Sequence, residues 1–393
     1  LGLILSSQEL QHEALAINVE VPTRVFKGDE FVDNLTLNDF EVHEDGILQS
    51  IDAVYLIKKT GIIRKEERKA YAPKTARHFY IYFDIAEYDA RTGRAVEHFV
   101  QNVLSPGDNL TVITPMRTLR MKKETLQVIS KEELVRQLIS RLKQDVWVGN
   151  SEYRNAIHEL EKMGQMIAGK IDLNAEKLTV TSEFPKEGPS LEVQLSYYMV
   201  LLDKLESLRE ISQKKLLDFA EMLKSTEGQK NLFLFYQREF VPRIEPRIID
   251  QASSMFQDIP EIYYKLEDAF NNSPRDLYID VDKIKQAYAD SSIGVHFLFF
   301  SKPAENLPYI QMVERSEDIF SAFFEMAKAT GGLATSSSNP EFLFQKATDA
   351  SENYYLIYYT PKNYKPDGKF RNIKVIVKGK SYRITHRTGY IAS

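Results

Sequence analysis

Chemistry in this sequence has to come from carboxylates, hydroxyls and imidazoles, because its 393 residues include no cysteine. Disulfides, zinc-thiolate sites, iron-sulfur clusters and thiol nucleophiles are excluded together. The best-placed carboxylate is Asp84, which ends the apolar run His78-Phe79-Tyr80-Ile81-Tyr82-Phe83 and is followed by Glu87, Tyr88 and Asp89. Such a run reads as a strand covered on both faces, and open α/β sheets bind ligands just past the carboxyl ends of such strands. Two other loops carry comparable groups: Gly149-Asn150-Ser151, and Gln237-Arg238 after Leu232-Phe233-Leu234-Phe235-Tyr236.

Other chemistries lack their spacing. The histidines at 12, 43, 78, 98, 158, 296 and 386 never fall at metal-ligand intervals on one helix, which argues against zinc. Neither glycine-rich nucleotide fingerprint occurs, nor does the Gly-x-Ser-x-Gly elbow of hydrolases. The adjacent carboxylates Glu44-Asp45 and Glu317-Asp318 diverge on a strand or a helix and read as solvated.

The elements that must position Asp84 come from the wider pattern. A chain that is 43% hydrophobic and 27% charged has the balance of a globular protein, and its length predicts two or three domains. Its net charge of -5, with acids and bases interspersed, gives no footprint for nucleic acid. No run reaches the roughly 18 apolar residues of a transmembrane segment.

Residues 1–15, beginning Leu1-Gly2-Leu3-Ile4-Leu5-Ser6-Ser7, resemble the tail of a secretory signal peptide; an ordinary apolar terminus is the alternative. Residues 16–60 read as a β unit in which Ile17, Val19 and Val21 alternate with polar residues and Asp45-Gly46 makes a hairpin turn. Residues 61–76, rich in Lys, Arg and Glu, read as a solvated linker. From 77 to 350, short apolar runs at Phe79–Phe83, Leu110–Ile113, Leu232–Tyr236 and Val295–Phe300 alternate with amphipathic segments, the pattern of an α/β sheet.

Helical insertions are predicted at about 158–226 and 241–290. The first contains a long helix, Leu191 to Leu223, with Leu195, Tyr198, Leu202, Leu205, Leu216, Phe219 and Leu223 on one face and Arg209 and Ser212 interrupting the stripe. Residues 351–393 form a β meander whose first strand, Tyr354–Tyr359, either fills a core or presents a sticky outer face. Neither terminal unit has enough strands to be stable alone. Their pairing into a small β-sandwich, with the α/β unit inserted between them, is therefore predicted.

Several spaced motifs together resemble the bacterial von Willebrand factor A-related family first described from Acidobacteria. They are Asn18–Phe26 and Leu35–Gly46, the Phe83-Asp84 strand end, Ala329-Thr330-Gly331-Gly332-Leu333, Tyr354–Pro361, Asp367–Ile373 and Arg387-Thr388-Gly389-Tyr390. The likeness covers nearly the whole chain apart from the two insertions. It implies a von Willebrand factor A-like, Rossmann-like α/β fold with a mostly parallel sheet flanked by helices, extra helical insertions and the terminal β-sandwich. It also implies a non-enzymatic, extracytoplasmic interaction or scaffold module with a protein partner, in the periplasm, at the cell surface or secreted.

The same resemblance implies a metal-dependent adhesion site, built in the family from Asp-x-Ser-x-Ser, a Thr and an Asp. Asp84 fills the first position, Ala86 and Tyr88 stand where the serines would be, Ser151 replaces the threonine, and Gln237 beside Arg238 replaces the second aspartate. Magnesium takes six oxygens in octahedral geometry, so the site is degenerate. Either Asp84 and Ser151 are vestigial, with Asp84 bonding backbone amides and Ser151 capping a helix, or a weak Mg or Mn site recruits Glu87 or Asp89. The expected reading is a module without a cofactor, whose binding rim is Glu87, Tyr88, Asn150, Gln237 and Arg238. Its alternatives are a metal-dependent adhesion module and an enzyme with a site in the helical insertion.

Overall fold

The computed structural model describes residues 17–171, 189–208, 211–271, 279–300 and 307–393. The signal-peptide reading of residues 1–15 and the interruption at Arg209 lie outside them.

The chain opens with β1 (Val19–Lys27), β2 (Glu30–Phe31), β3 (Phe40–Glu44), β4 (Ile47–Gln49), β5 (Ile51–Lys58) and β6 (Gly61–Glu67). Asp45 and Gly46 hold positive φ of 48° and 82°, as a two-residue hairpin turn between β3 and β4 requires. Next come β7 (Arg77–Asp84), α1 (Ala90–His98), β8 (Asn109–Ile113), β9 (Thr118–Met121), α2 (Lys123–Val128), α3 (Lys131–Gly149), α4 (Ser151–Ile171), α5 (Leu191–Leu208) and α6 (Gln213–Lys224). They are followed by β10 (Gln229–Gln237), β11 (Phe240–Ile244), α7 (Pro246–Met255), α8 (Pro260–Asn271), α9 (Val281–Asp290), β12 (Ile293–Phe300) and β13 (Ile310–Glu314). Then α10 (Glu317–Ala329), β14 (Ala334–Ser337) and α11 (Pro340–Glu352) lead into β15 (Asn353–Tyr359), β16 (Phe370–Val377), β17 (Arg383–His386) and β18 (Gly389–Ile391).

The two ends of the chain share sheets. β15 lies between β1 and β5 in an antiparallel sheet ordered β17-β1-β15-β5-β6, with β2 on β1, while β18-β16-β3-β4 forms another. Val21, Leu56, Tyr355 and Ile357 of the first sheet meet Phe40, Val42 and Val375 of the second in one core. Tyr354, Tyr355, Tyr358 and Tyr359 are all at most 3% exposed. These tyrosines therefore fill cores on both faces of the strand and form no sticky outer surface.

The sheet that carries Asp84 is ordered β14-β12-β10-β7-β8-β9. On β7, Phe79, Ile81 and Phe83 pack under α1, α3 and α11, and Tyr80 packs on the other face under α6, α9 and α10. Both faces are covered, which is why the strand reads as continuous apolar sequence. A third core joins α4, α5, β11, α7 and α8 through Leu160, Ile167, Leu195, Tyr198, Ile248 and Leu266. No helix among the described residues is long and apolar enough to cross a membrane.

The architecture is α/β, but it corrects the von Willebrand factor A-like expectation of a mostly parallel sheet. Parallel neighbours need a crossover connection. Among the described residues, only β7, β8, β10, β12 and β14 pair in that way; β9 is antiparallel to β8, and the other three described sheets are antiparallel throughout.

Local boundaries are corrected as well. Residues 61–76 begin with a strand and not a linker, since β6 pairs with β5, Val54 opposite Glu66 and Tyr55 opposite Lys65. The charge that made this stretch look solvated is what edge strands carry to block further pairing. Leu191 to Leu223 is not one helix: Ile211 and Ser212 are non-helical, and the Ser212 hydroxyl caps α6 by accepting from the Lys215 N–H at 3.4 Å. The first insertion has no boundary at 158, because α4 runs unbroken from Ser151. The second begins with β11, which pairs with β13.

Candidate functional site

Asp84 is the last residue of β7 and lies opposite Tyr236 of β10. The chain leaves the sheet through Ile85 and Ala86, both buried, and enters α1 at Asp89, whose carboxylate accepts from the Arg91 N–H at 2.6 Å. Ala86 packs among Tyr153, Ala156 and Leu160 of α4, so a methyl group fits where a metal cage would want a hydroxyl. Tyr88 is half-buried, its ring against the core under α1 and α3. Burial, with Asp89 beside it, pushes its phenol up from the ordinary range.

Two amides hold this loop in place. The Gln237 side-chain oxygen accepts from the Glu87 N–H at 3.0 Å. The Asn150 amide donates to the carbonyls of Ile85 at 2.9 Å and Val146 at 3.1 Å. Asn150 sits in the short link between α3 and α4, and its own carbonyl accepts from the Arg154 N–H at 3.0 Å. Asn150 therefore occupies the N-cap position, whereas Ser151, expected as the cap, is exposed at the first helical position. A Cβ on Gly149 would come within 2.8 Å of Pro115, so the link can approach the β8–β9 turn only with glycine there.

The rim residues divide between several surroundings. Glu87 and Tyr88 line an open groove of about 720 Å3 with Ser140, Lys143, Gln144, Trp147 and Arg154. Asp84 and Asn150 line a separate cavity of about 450 Å3 under the sheet, walled by Tyr82, Tyr236, Tyr288 and Phe323. Gln237 is 4% exposed and lines neither. Arg238 turns away: its guanidinium pairs with Glu314 of β13 at 2.7 Å and lies over the Phe299 ring.

Sequence reasoning missed Trp147 and Arg154. Trp147, the only tryptophan in the chain, is 70% exposed, and the Arg154 guanidinium lies over its ring at 4.4 Å. Arg154 also donates to the carbonyls of Val146, Ala86 and Trp147. The available signal was helical spacing: Ser140, Lys143, Gln144 and Trp147 share one face of α3, away from buried Leu138 and Leu142.

These residues do not fit a magnesium cage. Ala86 offers no oxygen, the Gln237 oxygen is engaged by a backbone amide, and Asn150 points its N–H groups at carbonyls. Among the described residues, no three His, Asp or Glu side chains converge as metal ligands.

No known family model matches the chain, and no curated relative does. Among solved structures the chain is similar to the crystal structure of the human COPII-coat protein Sec24c, at 8% identity and a TM-score of 0.31. The match covers 82% of this chain and 44% of that one. The chain thus spans under half the length of that structure, and a likeness of this size carries no argument about fold or activity.

Proposed function

We propose that this chain is a non-enzymatic, extracytoplasmic interaction module that binds a protein partner without a metal, through the groove at the Glu87–Tyr88 loop. Exposed Trp147 carries the reading. Interfaces concentrate their energy in Trp, Tyr and Arg anchors, and Trp147, Tyr88 and Arg154 lie together in this groove. Arg154 stacks on the indole and bonds the carbonyls around it, so little ordering is left to do when a partner arrives, and preorganisation raises affinity. The partner supplies an apolar side chain to cover the indole. The metal-independent part rests on the engaged Gln237 and Asn150 amides.

Because Trp147 is the sole tryptophan, its fluorescence reports the groove directly. A partner purified from the native source on the full chain, then titrated back, is expected to shift the emission to the blue and to lose affinity at least tenfold for Trp147→Ala. Equal binding by that variant sinks the reading. A blue shift that depends only on the chain's own concentration would instead name a second copy as the partner.

A small-molecule or catalytic site is the second reading, and the cavity beside Asp84 favours it. Its 450 Å3 falls in the range of small-ligand pockets, roughly 300–1,000 Å3. Ligand screening by thermal shift, with Tyr288→Ala as the control that alters the wall, separates it from the first.

A further inference from the structure

At the opposite end of the mixed sheet, where β10 and β12 begin, a cleft of about 40 Å3 separates that sheet from β1 and β15. Three cationic side chains from different elements line it: Arg24 of β1, Lys230 of β10, and Arg387 between β17 and β18. They are 6%, 6% and 8% exposed. Buried charges are normally paired, because an unpaired one is costly to remove from water. Yet the hydrogen-bond partners of Arg24 and Lys230 are backbone carbonyls, and none of the three forms an ion pair with a described carboxylate.

Several buried polar atoms here also lack hydrogen-bond partners: Nε of Arg24, Nε of Arg387, the hydroxyl of Tyr354 and Oδ1 of Asn231. Some compensation exists. Lys230 donates to the carbonyls of Leu223 and Thr226 at 3.1 and 2.7 Å, and Arg24 reaches the Gly331 carbonyl at 3.4 Å. Gly331 holds a φ of 72° against the His386 backbone, so this wall is fixed. Glu20 is the carboxylate that lines the cleft and acts on Lys230 and Arg387, with Asp290 also near Arg387. Lys74 lines it too but is paired with Glu227 at 3.6 Å, so the three buried cations outnumber the one lining carboxylate. Burial lowers the Arg24 guanidinium to about 10. Burial and then the Arg387 charge lower Lys230 to about 8.

We infer that this cleft binds a compact tetrahedral oxyanion of the phosphate or sulfate class, with Arg24, Arg387 and Tyr354 as donors and Lys230 supplying charge. One water needs about 10–15 Å3 of such space, so the cleft admits a small ion or the terminal phosphoryl group of a larger molecule. Charge-assisted hydrogen bonds are the strong ones, and here they would join the β-sandwich to the mixed sheet. The site is separate from the Trp147 groove and does not depend on the function proposed for it.

The test uses the full chain in sodium phosphate, sodium sulfate and sodium chloride at matched ionic strength, by thermal shift and calorimetry. Phosphate or sulfate is expected to raise Tm saturably, by about 2 °C or more at a hundredfold excess over Kd, with chloride inactive. Arg24→Met is expected to weaken phosphate binding at least tenfold. Since a buried arginine variant can misfold, Tyr354→Phe is the second variant, expected to keep its Tm in chloride and to bind phosphate severalfold more weakly. Glycerol 3-phosphate distinguishes the sources: binding means a terminal phosphoryl group is accepted, and no binding means the free ion is the ligand. No saturable response beyond chloride, or equal affinity in wild type and Tyr354→Phe, overturns the inference.

Discussion

The side-chain oxygen of Gln237 accepts the backbone N–H of Glu87 across 3.0 Å, tying the end of β10 to the loop that leaves β7. Where the family resemblance would put an aspartate ligand, an amide holds the backbone instead. Gln237→Ala leaves that N–H without its acceptor and is expected to cost about 1 kcal/mol in urea unfolding. Amide exchange at Glu87 should quicken at the same time. Exchange at the wild-type rate would show that the bond is not what orders the loop.

Magnesium and manganese, which would raise the melting temperature by mass action if the folded state bound them, are expected to give no saturable stabilisation at millimolar concentration, because Ala86 offers no oxygen and the Gln237 oxygen is engaged by a backbone amide. A rise that disappears in Asp84→Ala would restore the metal-dependent reading.

Arg77 and Asp108 form a bidentate pair at 2.8 and 2.6 Å, with side-chain exposures of 2% and 0%. Breaking a buried pair from one side strands the other charge, so Arg77→Met is expected to cost about 3–5 kcal/mol. The double variant Arg77→Met/Asp108→Leu should lose less than the two singles summed, which a double-mutant cycle reads.

His296 is buried against Phe233, its rings stacked at 5.0 Å. Burial, and then the Arg24 charge, lower its imidazole from 6.5 to about 3. The folded state keeps it neutral while the unfolded chain takes up a proton below 6.5. The contribution is therefore unchanged above that pH and is lost as pH falls from 6.5 towards 3, by up to about 1.4 kcal/mol per unit. His296→Leu should flatten that part of the stability–pH curve, measured by urea unfolding at successive pH values.

What could be read from the sequence was whatever depended on local pattern. Phe79 to Phe83 shows a strand covered on both faces because its environment leaves no polar position, and Asp45-Gly46 declares its turn because few residues accept positive φ. The β6 strand was hidden by its charge, since solvated edge and solvated linker have the same composition. Arg154 was hidden for another reason. Its partners, the carbonyl of Ala86 and the ring of Trp147, are set by where α4 leaves α3, and no periodicity encodes that. The pairing of parallel and antiparallel neighbours likewise depends on which strands come to lie side by side, which the apolar runs alone leave open.

The Glu20 carboxylate accepts the Tyr358 hydroxyl across 338 residues of sequence, and the strands carrying them are neighbours. During synthesis at about 5–20 residues per second, β1 emerges roughly 15 to 70 s before β15. Throughout that interval the edge of β1 that pairs with β15 at residues 19–23 lacks its native partner, although its valines can already meet Val42 and Leu56 of β3 and β5. Aggregation of the unfinished chain should accordingly centre on the β1 edge at residues 19–23, and pairing with β15 is the event that ends the exposure.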